Sequence, residues 1–380
     1  MFKILKPDVR VLKEIDKLIL ISMFLLILIG TVNIYLCTKG TISVQPYYYL
    51  KKQLIGVILG IIIMYIIMCI DYNMFINFVP IFYWISVVML ILAKVPGIGI
   101  VVNGARGWMK IGGFQFQPSE IAKIAIILML AKKLDEMDCK INDIKNFFIL
   151  VLYAAIPVAF IITQPDMGMT MVCFFIVLGM FFIAGLDMRV IGGGLITLIV
   201  GILIVLNSGL LQTYQINRFT AFLNPNADDA KTTYHLNQSL IAIGSGGILG
   251  SRPSFDPDGT TGYAAQNVPE DRTDFIFTAI SEQWGLIGGL AVIVLYGFML
   301  FRMISISRSV KEIFGSLMSS GIISYFLFAI IQNIGMTMGL LPITGITLPL
   351  LSYGSSSMVT VMMSIAFVLK AGAHKKKIYF

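Results

Sequence analysis

The sequence predicts an all-α integral membrane protein with ten transmembrane helices, and three observations carry that reading. Of 380 residues, 57% are hydrophobic and 13% charged, against roughly 25% charged in soluble domains. Mean hydropathy is +0.88, and the apolar residues gather in runs of about 18 or more, the length a helix needs to cross a ~30 Å hydrocarbon core. Basic residues outnumber acidic ones, 28 to 20, and most fall on one side of the predicted bilayer. An ordinary cytosolic enzyme is excluded.

Hydropathy places the helices near 18–37, 53–70, 75–93, 119–134, 147–163, 168–185, 189–207, 274–301, 314–332 and 348–370. The first follows a basic leader, MFKILKPDVRVLKEIDK, but its apolar run is too long for a signal-peptide core and lacks a small-residue cleavage site. It reads as a membrane helix. With the N-terminus in the cytoplasm, the inside segments hold 17 of the 28 basic residues, and an even number of crossings puts the C-terminus there as well. The organisation is a cytoplasmic segment 1–17, a membrane domain 18–370 and a basic cytoplasmic tail 371–380. Outside lie the loops 94–117, 208–273 and 335–347, the second joining helices seven and eight; loops of that length in a compact membrane domain are usually functional.

The net charge of +8 suits membrane topology and anionic lipid headgroups. Nothing interleaves basic and aromatic residues as a nucleic-acid groove does, so nucleic acid is not an expected partner. Cys37, Cys69, Cys139 and Cys173 fall in or beside separate apolar segments without C-x-x-C spacing, which predicts free thiols. His235 and His374 lie far apart and do not form a zinc motif.

Few ionisable residues fall inside the predicted helices, where each costs roughly 2.5 to 3.5 kcal/mol at the bilayer centre. Glu120 and Lys123, three apart in QPSEIAKIAIILML, share one helix face and can neutralise each other. They read either as a pair lining a polar cavity or as helix-start groups in the headgroup layer. Ahead of them, NGARGWMKIGGFQFQPSE offers Arg106, Lys110 and the amphipathic ring of Trp108 at the outer interface. Such a set can hold a phosphate and a sugar face, although a Trp flanked by basic residues is more often a depth anchor.

In TQPDMGMT, Pro165 stops one helix and Asp166 caps the next. In VPEDRTDFIFTAISEQWGLIGG, Asp274 stands at a helix start beside Thr273, with Glu270, Asp271 and Arg272 just upstream. The helix dipole favours its ionised form, so it reads as a cap or, beside a cavity, as a base for a substrate hydroxyl. Glu282, two turns deeper, needs protein or water around it and points to a structural role or to one supporting the site residues from behind. The block NIGMTMGLLPITGITLPLLSYGSSSM carries Pro342, Gly345, Pro349, Gly354 and three serines at 355–357. Irregular backbone lining a cavity and close helix packing through small residues explain it equally well.

In chain order, GARGWMKIGGFQFQPSE, QPDMG, QSLIAIGSGGILG, PEDRTDFIF, GLLPITGITLP and LSYGSSS resemble the signature blocks of the SEDS (shape, elongation, division and sporulation) membrane glycosyltransferases, the RodA/FtsW/SpoVE family. The likeness runs from the first predicted helix to the tenth, and NIGM before GLLPITG is more similar to the RodA branch. It implies polymerisation of peptidoglycan glycan strands from lipid II at the outer face of the bacterial cytoplasmic membrane, in elongation, division or sporulation. It also implies a growing chain held on undecaprenyl pyrophosphate and a class B penicillin-binding protein as transpeptidase partner.

By the same resemblance Asp274 is the catalytic aspartate, and Arg106, Trp108, Lys110, Glu120, Lys123, Asp166, Glu270 and Ser352 lie on the substrate side. The sequence determines no cofactor; a divalent cation, Mg or Mn, and the need for one are left open, with Asp274 as its candidate ligand. Three positions depart from the family pattern: Arg272 where HTDF has His, Thr347 where GIPLP has Pro, and Ser355 where SYGGSS has its second Gly. Two other functions compete, a flippase for the lipid-linked precursor and a non-catalytic scaffold for the penicillin-binding protein. A transporter commonly shows paired broken helices and an internal repeat; this sequence shows neither.

Overall fold

The structure, a computed structural model, describes residues 15–39, 47–102, 105–111, 114–164, 166–207, 232–251 and 262–374. The predicted leader up to residue 14, the basic tail from 375 and much of the loop 208–273 lie outside the described residues. The chain is a helical bundle with a small sheet. Its elements are α1 (Lys17–Thr38), α2 (Tyr48–Cys69), α3 (Tyr72–Leu92), β1 (Gly99–Val102), β2 (Ala105–Ile111), β3 (Phe114–Phe116), α4 (Pro118–Glu136), α5 (Ile144–Ile162), α6 (Met167–Ile183), α7 (Met188–Asn207), α8 (Thr232–Gly246), α9 (Tyr263–Asn267), α10 (Ile276–Ser309), α11 (Ile313–Thr337) and α12 (Ser355–Ala373).

A helix stands over each of the ten predicted segments. Seven of them, α1, α2, α3, α5, α10, α11 and α12, are long and apolar enough to cross a membrane. Helix α6 is apolar but has only 17 residues, and α4 carries Glu120, Lys123, Lys132, Lys133, Asp135 and Glu136. Exposed Leu, Ile, Phe and Trp side chains coat α1, α2 and α3, as a lipid-facing surface requires. The opposite arrangement holds for α4 and α12, which are buried along most of their length and form the centre of the bundle. This is a multi-pass membrane protein.

Three features depart from the all-α expectation or from its loops. Residues predicted as an outer loop fold into an antiparallel sheet ordered β1-β2-β3, with Trp108 opposite Ile100 and Lys110 opposite Gln115. Its Val, Ile, Trp and Phe residues suit short strands, and a run this short gave no apolar period to read. Helices α8 and α9 occupy the region predicted as a single long loop. Third, α10 starts at Ile276 rather than 274 and bends at Gly285, which has φ 64° and ψ −163°.

The bend has a packing cause. Just past α8, the amides of Leu286 and Ile287 reach the carbonyls of Gly247 and Ile248. A Cβ on Gly285 would sit 2.4 Å from the Ile248 carbonyl oxygen, so only glycine admits this approach. Beyond the bend, Leu286–Ser309 is about 35 Å long at 1.5 Å per residue, enough to cross the hydrocarbon core. The short leg before it, Ile276–Gly285, packs with α8 and α9 through the Ser239–Thr278 and Ala264–Glu282 bonds.

Candidate active site

The site is assembled around one stretch, residues 341–360, that leads into α12 and runs down its first turns. Its irregular backbone is satisfied by amide side chains buried in neighbouring helices. Gln332 donates to the Pro342 carbonyl at 2.8 Å and Asn333 to the Ile346 carbonyl at 2.7 Å. On α2, Gln53 donates to the Ser352 carbonyl and accepts from the Gly354 amide, each at 3.2 Å. Such pairing is what allows non-helical backbone at membrane depth. Helix α2 comes close enough because it presents glycine: a Cβ on Gly56 would lie 2.9 Å from the Ser355 Cα. The block therefore combines irregular backbone buried in protein before Ser355 with close packing against a glycine at Ser355.

Asp274 lies on a turn held by the same stretch. The turn closes through the Thr273 and Phe275 amides, both bonded to the Glu270 carbonyl at 3.1 Å. Glu270 adopts φ 57°, a left-handed conformation that costs of order 1 to 3 kcal/mol for a non-glycine residue. Its exposed carboxylate accepts the Thr273 hydroxyl at 3.0 Å and steadies the turn. Ser352, buried, donates to the Thr273 carbonyl at 2.6 Å and accepts the Leu348 amide at 2.8 Å. Asn333 donates to the Asp274 carbonyl at 2.8 Å. The N-cap position of α10 falls on Phe275, whose side chain makes no capping bond. Asp274 itself is half-buried and stands one residue outside the cap.

Asp271 is buried in this turn and pairs with the Arg272 Nε at 3.2 Å. Burial pushes its carboxyl up to about 6, with the Arg272 charge opposing the rise.

On α4, Lys123 Nζ meets Glu120 Oε2 at 2.8 Å, with the two residues 2% and 5% exposed. The same oxygen accepts the Thr360 hydroxyl at 2.6 Å, and the ammonium lies 4.0 Å above the Tyr325 ring. Glu120 stands in the first turn of α4, as the helix-start reading has it, and the pair is buried in protein, as the other reading requires. The Gln117 amide bonds Ser356 Oγ at 3.3 Å, and the Gln117 side chain donates to Asp166 Oδ2 at 3.0 Å. The other Asp166 oxygen accepts the Met169 amide at 2.9 Å, the predicted cap of α6. Gly168 lies where a Cβ would come 2.7 Å from the Thr344 carbonyl oxygen, which docks QPDMG on the 341–354 segment.

The structure thus links Ser352, Asp166, the Glu120–Lys123 pair and the Asp274 turn through one polar strip along 344–360. On β2, Trp108 is half-buried and Lys110 exposed. Arg106 lies on the same strand, but its side chain falls outside the described residues. Glu282 is structural, as predicted: buried, it accepts the Ala264 amide at 2.7 Å and the Tyr263 amide, holding the start of α9.

Sequence reasoning missed Gln53, Gln332 and Asn333. Their signal was available, since an uncharged amide inside an apolar helix needs partners as much as a charge does. Among the described residues no three His, Cys, Asp or Glu side chains gather into a metal-holding group. Asp271, the buried acid of the turn, is paired with Arg272.

Fold and site together define a polytopic membrane protein with a buried ion pair and a carboxylate-bearing turn at one end of the bundle. Residues 16–377 match the model of the FtsW/RodA/SpoVE family, described as "Cell cycle protein", and the chain belongs to that family.

It is 34% identical to stage V sporulation protein E of Bacillus subtilis, over 95% of this chain and 98% of that one. It is 31% identical to the peptidoglycan glycosyltransferase MrdB of Escherichia coli, over 95% of each. A chain in the solved structure "Structural coordination of polymerization and crosslinking by a peptidoglycan synthase complex" superposes with a TM-score of 0.78 at 26% identity, over 96% of this chain and 99% of that one. Rod shape determining protein RodA of Thermus thermophilus shares the fold, with a TM-score of 0.70 at 24% identity over 96% and 98% of the two chains. Sporulation, RodA and FtsW relatives match at 34%, 31% and 33% identity, so overall identity does not separate the branches.

Proposed function

We propose that the chain polymerises peptidoglycan glycan strands from lipid II by inverting glycosyl transfer, with Asp274 as the base. The chain is a peptidoglycan glycosyltransferase, the class in which its relatives MrdB and RodA are named. The observation that supports the assignment of the base is the fixed turn. Thr273, Asp274 and Phe275 are anchored to Glu270, Ser352 and Asn333, so the carboxylate is carried on backbone that does not need to be organised during the reaction.

In this reading the Asp274 carboxylate takes the proton from the 4-hydroxyl of the acceptor GlcNAc. That oxygen attacks the anomeric carbon of the donor MurNAc, a β-1,4 bond forms, and undecaprenyl pyrophosphate leaves with the bonding pair. The growing chain passes onto lipid II. Lys110, exposed on β2, and Arg106 on the same strand are the cations assigned to the departing pyrophosphate, and Trp108 to a sugar face. Lys123 lies below that surface and contributes its field together with Glu120 rather than a direct contact.

The topology that fits this reading has ten crossings, both termini in the cytoplasm and the Asp274 turn facing the outside of the bacterial plasma membrane. The positive-inside asymmetry supports it. A class B penicillin-binding protein is the partner assigned for cross-linking. Purified protein incubated with lipid II, alone and with that partner, is expected to give a ladder of glycan polymers. Movement of lipid II between leaflets without polymer identifies a flippase, and no product under either condition identifies a scaffold.

A further inference from the structure

We propose that Arg272 is a positioning residue, a clasp that fixes the Asp274 turn against the outer end of α2. The proposal rests on the polymerase reading for its kinetic test. Its side chain is 24% exposed, yet it sits among groups from three separate parts of the chain. The guanidinium carbon lies 4.4 Å above the Tyr49 ring of α2, a cation–π distance. Tyr49 in turn meets Tyr353 edge-on, with centroids 5.0 Å apart. Arg272 Nε reaches Asp271 Oδ1 at 3.2 Å, and the Arg272 carbonyl accepts the Tyr353 amide at 2.8 Å.

The residue two before Asp274 therefore touches α2 through its side chain and the α12 lead-in through its backbone. A planar, delocalised cation suits this place, because its face stacks on the ring while its edge pairs with the carboxylate; a lysine would bring a compact point charge with no plane to lay on the ring. One guanidinium nitrogen, Nη1, and one carboxylate oxygen, Asp271 Oδ2, are buried without hydrogen-bond partners. Stacking on Tyr49 is therefore the contact that ties the guanidinium to α2, while Asp271, which also meets the Cys37 thiol of α1, holds it within the turn.

The test uses the full-length protein with Arg272→Lys, Tyr49→Leu and Tyr49→Phe. Hydrogen exchange of the 270–275 segment reads the clasp without turnover, and both Arg272→Lys and Tyr49→Leu are expected to speed it at the Thr273 and Phe275 amides. Unchanged exchange in both overturns the proposal, whatever the activity. In lipid II polymerisation, the same two variants are expected to lower kcat about 10- to 100-fold, the scale of a ~1 Å misplacement, with KM held. Tyr49→Phe is expected to recover most of the loss, and the double variant Tyr49→Leu, Arg272→Lys to be no worse than either single one. A raised KM with kcat intact in Arg272→Lys makes it a substrate contact and overturns the clasp, as does a Tyr49→Leu protein with full kcat. A wild-type chain that makes no polymer fails the polymerase reading alone, because the exchange result stands independently.

Discussion

Asp274 and the Glu120–Lys123 pair show how differently a membrane protein handles its acids. The pair is closed on itself: one carboxylate oxygen takes both the ammonium and the Thr360 hydroxyl. Removing one partner strands the other in a low-dielectric interior, at about 3 to 5 kcal/mol. Lys123→Ala is therefore expected to lower the thermal unfolding temperature in detergent sharply. The double variant Glu120→Gln, Lys123→Met is expected to regain most of that stability. Equal unfolding temperatures for Lys123→Ala and the parent would contradict the pairing.

Asp271 makes a second residue-scale prediction. Its folded carboxyl, raised to about 6 by burial, binds the proton more tightly than the unfolded chain does. Its contribution to stability is fully present below about pH 4, the ordinary Asp range, and is lost as pH rises through about 6. Asp271→Asn is expected to flatten the fall in unfolding temperature between those values. At this scale the sequence was legible where chemistry announced itself through charge, as in the three-residue spacing of Glu120 and Lys123. Gln53, Asn333 and Tyr49 were not, because their roles come from meeting backbone and side chains far away in the chain.

Among the elements, the helices over the ten predicted segments were legible because length and hydropathy decide them. The bend in α10 was not, although EQWGLIGG contains its glycine. Gly285 reads as an ordinary helical glycine until the segment after α8 is laid against it. Gly285→Ala must place a Cβ in a conformation reserved for glycine and 2.4 Å from backbone atoms. Destabilisation beyond the 1 to 3 kcal/mol of the backbone strain alone is expected, read as a drop in unfolding temperature. Gly297, in the same helix with open space around its Cβ position, is the control, since alanine there is expected to be neutral or to stabilise by about 0.5 to 1 kcal/mol. The sheet was missed for a related reason, since strands of three to seven residues between glycines carry too little pattern to read.

For the whole molecule, α4 and α12 form a buried polar axis inside a shell of lipid-facing helices. In the proposed reading substrate chemistry belongs to one end of that axis, where the Asp274 turn and the α12 lead-in lie. The six sequence blocks made this grouping legible as a family likeness, but not its geometry: Ser352 supports the turn through backbone bonds, and Asp166 caps a helix while taking Gln117. A site so heavily braced should survive the loss of its reactive group. The most direct test measures lipid II binding and polymerisation for the parent and for Asp274→Asn in the same membrane preparation. The account predicts parental unfolding temperature and lipid II affinity with no polymer from the variant; polymer at the parental rate would contradict it.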